Sequence, residues 1–323
     1  MKPKTIRNTT ILDTSIATSN VGDEIIMDAV NKELYELCKE DRFFRIPTHE
    51  KIYKSSLSFI RNSSLNFLGG SNILSSYMNR YKQWRIGLLQ SFFIRHKIIT
   101  LGVGWRAYQG KPNPYTVRLL KNLLSKKYLH SVRDSHTEEY LNKIGINNVV
   151  NTGCPTMWRL TEVHCNSIPT TKTSTVIFTL TDYNQHVEKD TALIRALKEA
   201  YHEVYFWVQG RRDDTYFYSF DPMLIEGIKI IPPNLASYDA FLATNECDYI
   251  GTRLHGGIRA LQHKRRTIII GIDNRASEKN KDFNINVLQR DNIDSLPSII
   301  NSDFETKIRI DLNKINYWKS QFE

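Results

Sequence analysis

Arg253 and His255 stand two residues apart in the run Thr252-Arg253-Leu254-His255-Gly256-Gly257. On an extended segment side chains so spaced point to one side, and both can reach one ligand. Arginine offers a planar fork of donors that fits carboxylate or phosphate. Histidine is the side chain best suited to passing protons near neutral pH. The apolar Tyr249-Ile250-Gly251 lies just before the run, and the strand-like Thr267-Ile268-Ile269-Ile270-Gly271-Ile272 lies after it. A strand is therefore expected to end at the arginine. A helix is expected to begin beyond it, with free N–H groups that favour an anion. Leu254, Gly256 and Gly257 fall in this turn, and the two glycines would let the backbone approach something closely. Such a turn suits acid–base work on an anionic substrate.

Three further stretches have chemical character. Arg133, in Ser131-Val132-Arg133-Asp134, would project from the end of a strand, with a salt bridge to Asp134 as the competing role. Asn20-Val21-Gly22-Asp23 reads as a strand-to-helix turn, in which Asp23 either caps the helix or lines a cleft. Gly69-Gly70-Ser71 permits close approach to a ligand or to another part of the chain. Arg275 follows one strand after the Arg253 turn, in Asp273-Asn274-Arg275. No GxGxxG, P-loop, DxD, HExxH or GxSxG pattern occurs, which argues against dinucleotide, metal-dependent and acyl-enzyme chemistry. No metal site is expected. Cys38, Cys154, Cys165 and Cys247 form no CxxC pair and read as reduced, buried thiols.

The elements that must hold these residues alternate from end to end, apolar runs with amphipathic stretches, as in α/β proteins with mostly parallel strands. Strands are expected at 10–12, 43–46, 66–68, 98–103, 128–132 and 148–151, with a helix over 24–38. After a polar linker at 166–174, strands follow at 175–180, 203–208, 228–231 and 267–272, with helices over 189–201 and 237–245. A closing helix over 311–323 would pack back across both halves. Two Rossmann-like domains facing across a cleft, 1–165 and 172–310, fit this order. At 323 residues, 41% of them hydrophobic and 24% charged, the chain can bury two such cores.

No apolar run is long enough to span a bilayer, and Met1-Lys2-Pro3-Lys4-Thr5 lacks a signal-peptide core, so a cytoplasmic protein is expected. The net charge is +10. The basic residues look scattered, without the Lys/Arg run of a nucleic-acid arm, and no nucleic-acid partner is expected. The densest piece is Arg80 to Arg85, continuing through Phe92 to Lys97. Its mix of basic and large apolar residues fits a core helix with a basic rim, or an interfacial helix touching a membrane.

Asn20-x-Gly22-Asp23-Glu24, Gly69-Gly70-Ser71, Ser131-Val132-Arg133-Asp134, Gly153-Cys154-Pro155 and Thr252-Arg253-Leu254-His255-Gly256 occur in the order found in polysaccharide pyruvyl transferases. The chain resembles that family over about residues 10 to 280. The resemblance implies a glycosyltransferase-B-like fold, with 1–165 on the acceptor side and 172–310 on the donor side. It implies transfer of a pyruvyl group from phosphoenolpyruvate to a sugar of a cell-surface polysaccharide or glycan precursor. A ketal would form and phosphate would leave, with phosphoenolpyruvate as donor substrate and no cofactor. Arg133 and Arg253 would bind donor phosphate and carboxylate, and His255 would be the general acid/base. Asn20, Gly22, Asp23, Gly69, Gly70, Ser71, Leu254, Gly256, Gly257 and Arg275 would contact substrate. Family members commonly carry Lys where Arg275 stands; arginine neutralises an anion but does not readily give up a proton. The acceptor is expected to be lipid-linked, at the inner face of the membrane. Two other classes compete: a nucleotide-sugar-dependent glycosyltransferase of the same fold, and a non-catalytic basic module that binds polyanions.

Overall fold

A computed structural model describes residues 6–323; the Met1–Thr5 start, read above for a signal peptide, lies outside them. The chain divides into two compact units. In the first, β1 (Asn8–Asp13), β2 (Arg42–Pro47), β3 (Leu65–Gly69) and β4 (Ile99–Leu101) form a parallel sheet of order β2-β1-β3-β4. A parallel bridge from Val103 to Val132 leads on to the pair β5 (His130–Val132) and β6 (Val149–Asn151). This is the flavodoxin-like winding, whose strand order reverses between β1 and β3. β1 and β3 are almost wholly buried, as central strands covered on both faces must be.

In the second unit β7 (Thr175–Thr179), β8 (Glu203–Trp207), β9 (Lys229–Ile231), β10 (Asp248–Gly251), β11 (Thr267–Gly271) and β12 (Val287–Gln289) are again parallel. Their order is β12-β11-β10-β7-β8-β9, the Rossmann winding, with its reversal between β7 and β10. Phe178, Phe206 and Phe217 pack ring on ring on one side of this sheet. Trp207 and Tyr238 stack at 3.8 Å in a separate cluster. Each unit is thus a parallel α/β layer structure of Rossmann type.

Three expectations are corrected. The first unit comprises the chain up to Thr18, Ile26–Trp158 and Asp311–Glu323; the second comprises Ser19–Ile25 and Arg159–Ile310. The change at 158, ahead of 165, has a local cause: the short helix Glu162–Cys165 is tied to the second unit, where His164 Nε2 donates to the Leu261 carbonyl at 2.7 Å. The expected linker is pinned there too, Thr173 N donating to Asp248 and Thr170 O accepting from Arg266. Second, the closing helix Leu312–Ser320 packs on the first unit. Trp318 meets Phe67, Trp158 and Phe322 and donates to the Leu129 carbonyl, and Lys319 pairs with Glu33. Third, Arg80 to Lys97 is not one helix. Only Leu88–Phe93 is helical, and Trp84 and Ile86 anchor an irregular stretch before it. Among the described residues no helix is long and apolar enough to cross a membrane.

Candidate active site

The reversal point of the second sheet lies between the carboxyl ends of β7 and β10, where ligands of open α/β sheets usually bind. Gly251 ends β10, and Arg253 stands at the N-cap of the helix Leu254–Gln262. Its backbone N–H donates to Thr179 Oγ1 at 3.1 Å, and its carbonyl accepts from the Tyr249 hydroxyl at 2.7 Å. Its side chain caps nothing in its own helix. The guanidinium turns instead onto Asp213, with Nε 2.9 Å from Oδ2 and Nη2 bonded to Oδ1, and onto Asp182 at 2.9 Å. Nη1 makes no hydrogen bond among the described residues. Burial raises the Asp213 carboxyl, while Arg253 and the backbone N–H groups of Gly210 and Asp182 work against the rise. Arg253 is therefore a guanidinium already matched by two carboxylates.

His255 is buried in the first turn of the same helix. Arg275 sits two residues into the helix Asn274–Phe283, after β11, and its Nε lies 2.9 Å from Asp273 Oδ2. Its Nη2 donates to the Tyr183 hydroxyl. The Tyr183 ring lies under both guanidiniums, 5.1 Å from Arg253 and 5.7 Å from Arg275. The sheet order thus brings together Arg253, His255 and Arg275. It adds Asp182 and Tyr183 from the end of β7 and Asp213 from beyond β8. None of these three has a local signal in the sequence.

Asn20, Gly22 and Asp23 belong to this second unit, although they follow β1 in the chain. The helix Val21–Leu37 starts ahead of Asp23, so the cap position falls to Asn20, whose Oδ1 accepts from Gly22 N at 3.1 Å. The same oxygen accepts from Gln209 Nε2 at 3.2 Å. Gly22 leaves room for that contact, since a Cβ there would lie 2.8 Å from Gln209 Nε2.

Gly256 and Gly257 bring the helix close to its own sheet. A Cβ on Gly256 would lie 3.0 Å from the Tyr249 hydroxyl, and one on Gly257 2.8 Å from Ile269. Both let the helix settle on β10 and β11. Leu254 is buried beside them. Gly69 and Gly70 behave alike in the first unit: their missing Cβ atoms would strike Met27, Val30 and Ile26 of the helix Val21–Leu37. Close approach to another part of the chain is the role seen there. Ser71 follows with φ +61°, and its carbonyl accepts from Gly104 N at 2.9 Å.

Arg133 lies just beyond β5, buried, with Nε 2.9 Å from Asp134 Oδ2. Asp134 caps the helix Ser135–Lys143 through Thr137 N. The competing salt bridge is therefore present. Gly104 gives Arg133 its place: a Cβ there would lie 1.9 Å from the Arg133 Nε. Gly210 does the same for Arg253, at 1.9 Å from Nη2. The four cysteines are buried, and none forms a disulfide among the described residues. Among the described residues no three His, Cys, Asp or Glu side chains converge as metal ligands.

A profile of the polysaccharide pyruvyl transferase family matches residues 20–274. No curated protein sequence matches the chain. Among solved structures, MnaA from S. aureus with UDP aligns over 98% of this chain and 97% of its own, at 12% identity and TM-score 0.55. A UDP-GlcNAc 2-epimerase from Methanocaldococcus jannaschii covers 94% and 95%, at 12% identity and TM-score 0.54. Alr3699/HepE from Anabaena, in complex with UDP and glucose, covers 91% and 89%, at 10% identity and TM-score 0.53. At such identities the likeness is one of fold, glycosyltransferase-B-like with two Rossmann-type units. The family match takes in the Arg133, Arg253 and His255 segments together: the chain belongs to the polysaccharide pyruvyl transferase family.

Proposed function

We propose that this protein transfers a pyruvyl group from phosphoenolpyruvate to a sugar of a polysaccharide or glycan precursor, closing a ketal on two hydroxyls and releasing phosphate. The observation that carries the reading is the joint delivery of Arg253 and His255 at the carboxyl end of β10, with Arg275 one strand away. Phosphoenolpyruvate brings about three negative charges near neutral pH, two on phosphate and one on carboxylate. Arg253 meets them with Nη1, its remaining donors being held by Asp213, Asp182 and the Leu180 carbonyl. The first turn of its helix adds N–H dipoles, and Arg275 adds a second guanidinium. Arg133 is assigned the same duty toward the donor on the first unit.

His255 is assigned the proton work. Protonation of the methylene carbon makes the carbon bearing phosphate electrophilic, and a sugar hydroxyl adds there. The C–O bond to phosphate then breaks, and a second hydroxyl closes the ketal. Of the two hydroxyl protons, one balances the new methyl group and the other leaves with phosphate. Arg275 serves by charge alone. The first unit is assigned to the acceptor and the second to the donor. The acceptor is taken to be lipid-linked, with the reaction at the inner face of the membrane.

The test is to incubate the full chain with phosphoenolpyruvate and candidate lipid-linked sugars. Phosphate release should match a mass gain of one pyruvate less one water. UDP release from a UDP-sugar, without any need for phosphoenolpyruvate, would overturn the proposal in favour of glycosyl transfer.

A further inference from the structure

Charge is unevenly spread along this chain. From Lys51 to Arg133 there are fifteen Lys and Arg residues and no Asp or Glu. With 44 basic and 34 acidic residues in the whole protein, everything outside that stretch is net acidic. The excess of positive charge therefore belongs to part of the first unit, and no acidic residue within the stretch is there to neutralise it.

Two neighbouring hollows mark one face of that unit. The first, about 590 Å³, is lined by Lys51, Arg80, Lys82 and Arg85 together with Gly87 and Gln90. The second, about 360 Å³, is lined by Lys54, Leu57, Arg61 and Phe93. The short helix Leu88–Phe93 joins them, contributing Gln90 to one and Phe93 to the other. That helix leaves Leu89 76% exposed and Phe93 63% exposed, while its neighbours Trp84, Ile86 and Ile94 are buried as anchors. Tyr53 and Phe59, on the adjoining segment, are also exposed. Large apolar side chains held out from a firm base, on a helix that borders two cation-lined hollows, gain nothing from water.

We infer that this face docks on an anionic lipid bilayer, with Leu89 and Phe93 entering the headgroup region and Lys51, Arg80, Lys82 and Arg85 meeting lipid phosphates. Charge complementarity selects an anionic surface, and the exposed Leu89 and Phe93 select a bilayer over nucleic acid, whose interfaces are polar. The inference deepens the membrane-side part of the proposed function. Its test uses neither donor nor acceptor, so its failure leaves pyruvyl transfer to be judged separately.

The full chain is sedimented with vesicles of phosphatidylcholine, with and without phosphatidylglycerol. Binding should require phosphatidylglycerol and fall as salt rises. Lys82→Ala and Arg85→Ala should each weaken it about fivefold. Leu89→Ser with Phe93→Ser should weaken it roughly tenfold or more, whereas Lys307→Ala in the second unit should change nothing. Melting temperatures of all variants are measured alongside. No binding at low salt overturns the inference. So does binding that the Leu89→Ser and Phe93→Ser pair leaves intact, which would make the face a site for soluble polyanions.

Discussion

His255 is the residue on which the proposed chemistry turns. A positioned acid–base group contributes about 10²–10⁴-fold to a rate. His255→Ala should therefore lose that much pyruvyl transfer while keeping its melting temperature within a few degrees. Turnover close to the parent would remove the imidazole from the mechanism. Arg253, His255 and Arg275 were legible because their types and spacing are local. Asp213, Asp182 and Tyr183 were not, because they come from other strand ends and only the sheet order β10-β7-β8 brings them in. Their presence changes the picture of the site. Arg253 is held by Asp213 and Asp182, Arg275 by Asp273 and Arg133 by Asp134, so the guanidiniums are not bare charges waiting for a trianion. Glycine is ambiguous for a different reason. It marks close approach without saying to what, and Gly256, Gly257, Gly69 and Gly70 all approach side chains of the same protein.

At the scale of elements, the helix Val21–Leu37 carries the sharpest expectation. Gly70 has φ +53°, and a Cβ there would lie 2.0 Å from Ile26 Cγ2 of that helix. Gly70→Ala combines a left-handed backbone with overpacking and should cost about 2–4 kcal/mol in urea unfolding. A loss under half of that would mean the helix can shift to make room. The alternating strands and helices of both units were readable from apolar periodicity, and most strands fall within two or three residues of expectation. Other elements carry weaker signals. Pro114 at the first helical position, with Asn113 as cap, starts the helix Pro114–Leu123. Basic and apolar residues from Arg80 to Lys97 suggested a longer helix than the six residues that form. Nothing local marks the point in Val21–Leu37 at which one unit gives way to the other, because the helix runs on unbroken.

The molecule as a whole should be sensitive to acid. His130 is fully buried in β5, its Nδ1 accepting from Thr100 N and its Nε2 donating to the Ser125 carbonyl, and burial lowers its pKa to about 4. Below about pH 6.5 the unfolded chain takes up a proton there that the folded chain refuses. Stability is therefore complete above that pH and falls as the pH drops toward 4, by about 3 kcal/mol from this residue. His130→Asn should flatten the decline; an unchanged slope would show that other groups cause it. Each unit also shares one economy of construction. Gly104 makes way for Arg133 and Gly210 for Arg253, and neither glycine needs a left-handed backbone. An alanine at either place would be tolerated by the main chain and would evict the arginine instead. A family member could thus go silent with every reactive side chain still written in its sequence, disarmed by a single methyl group.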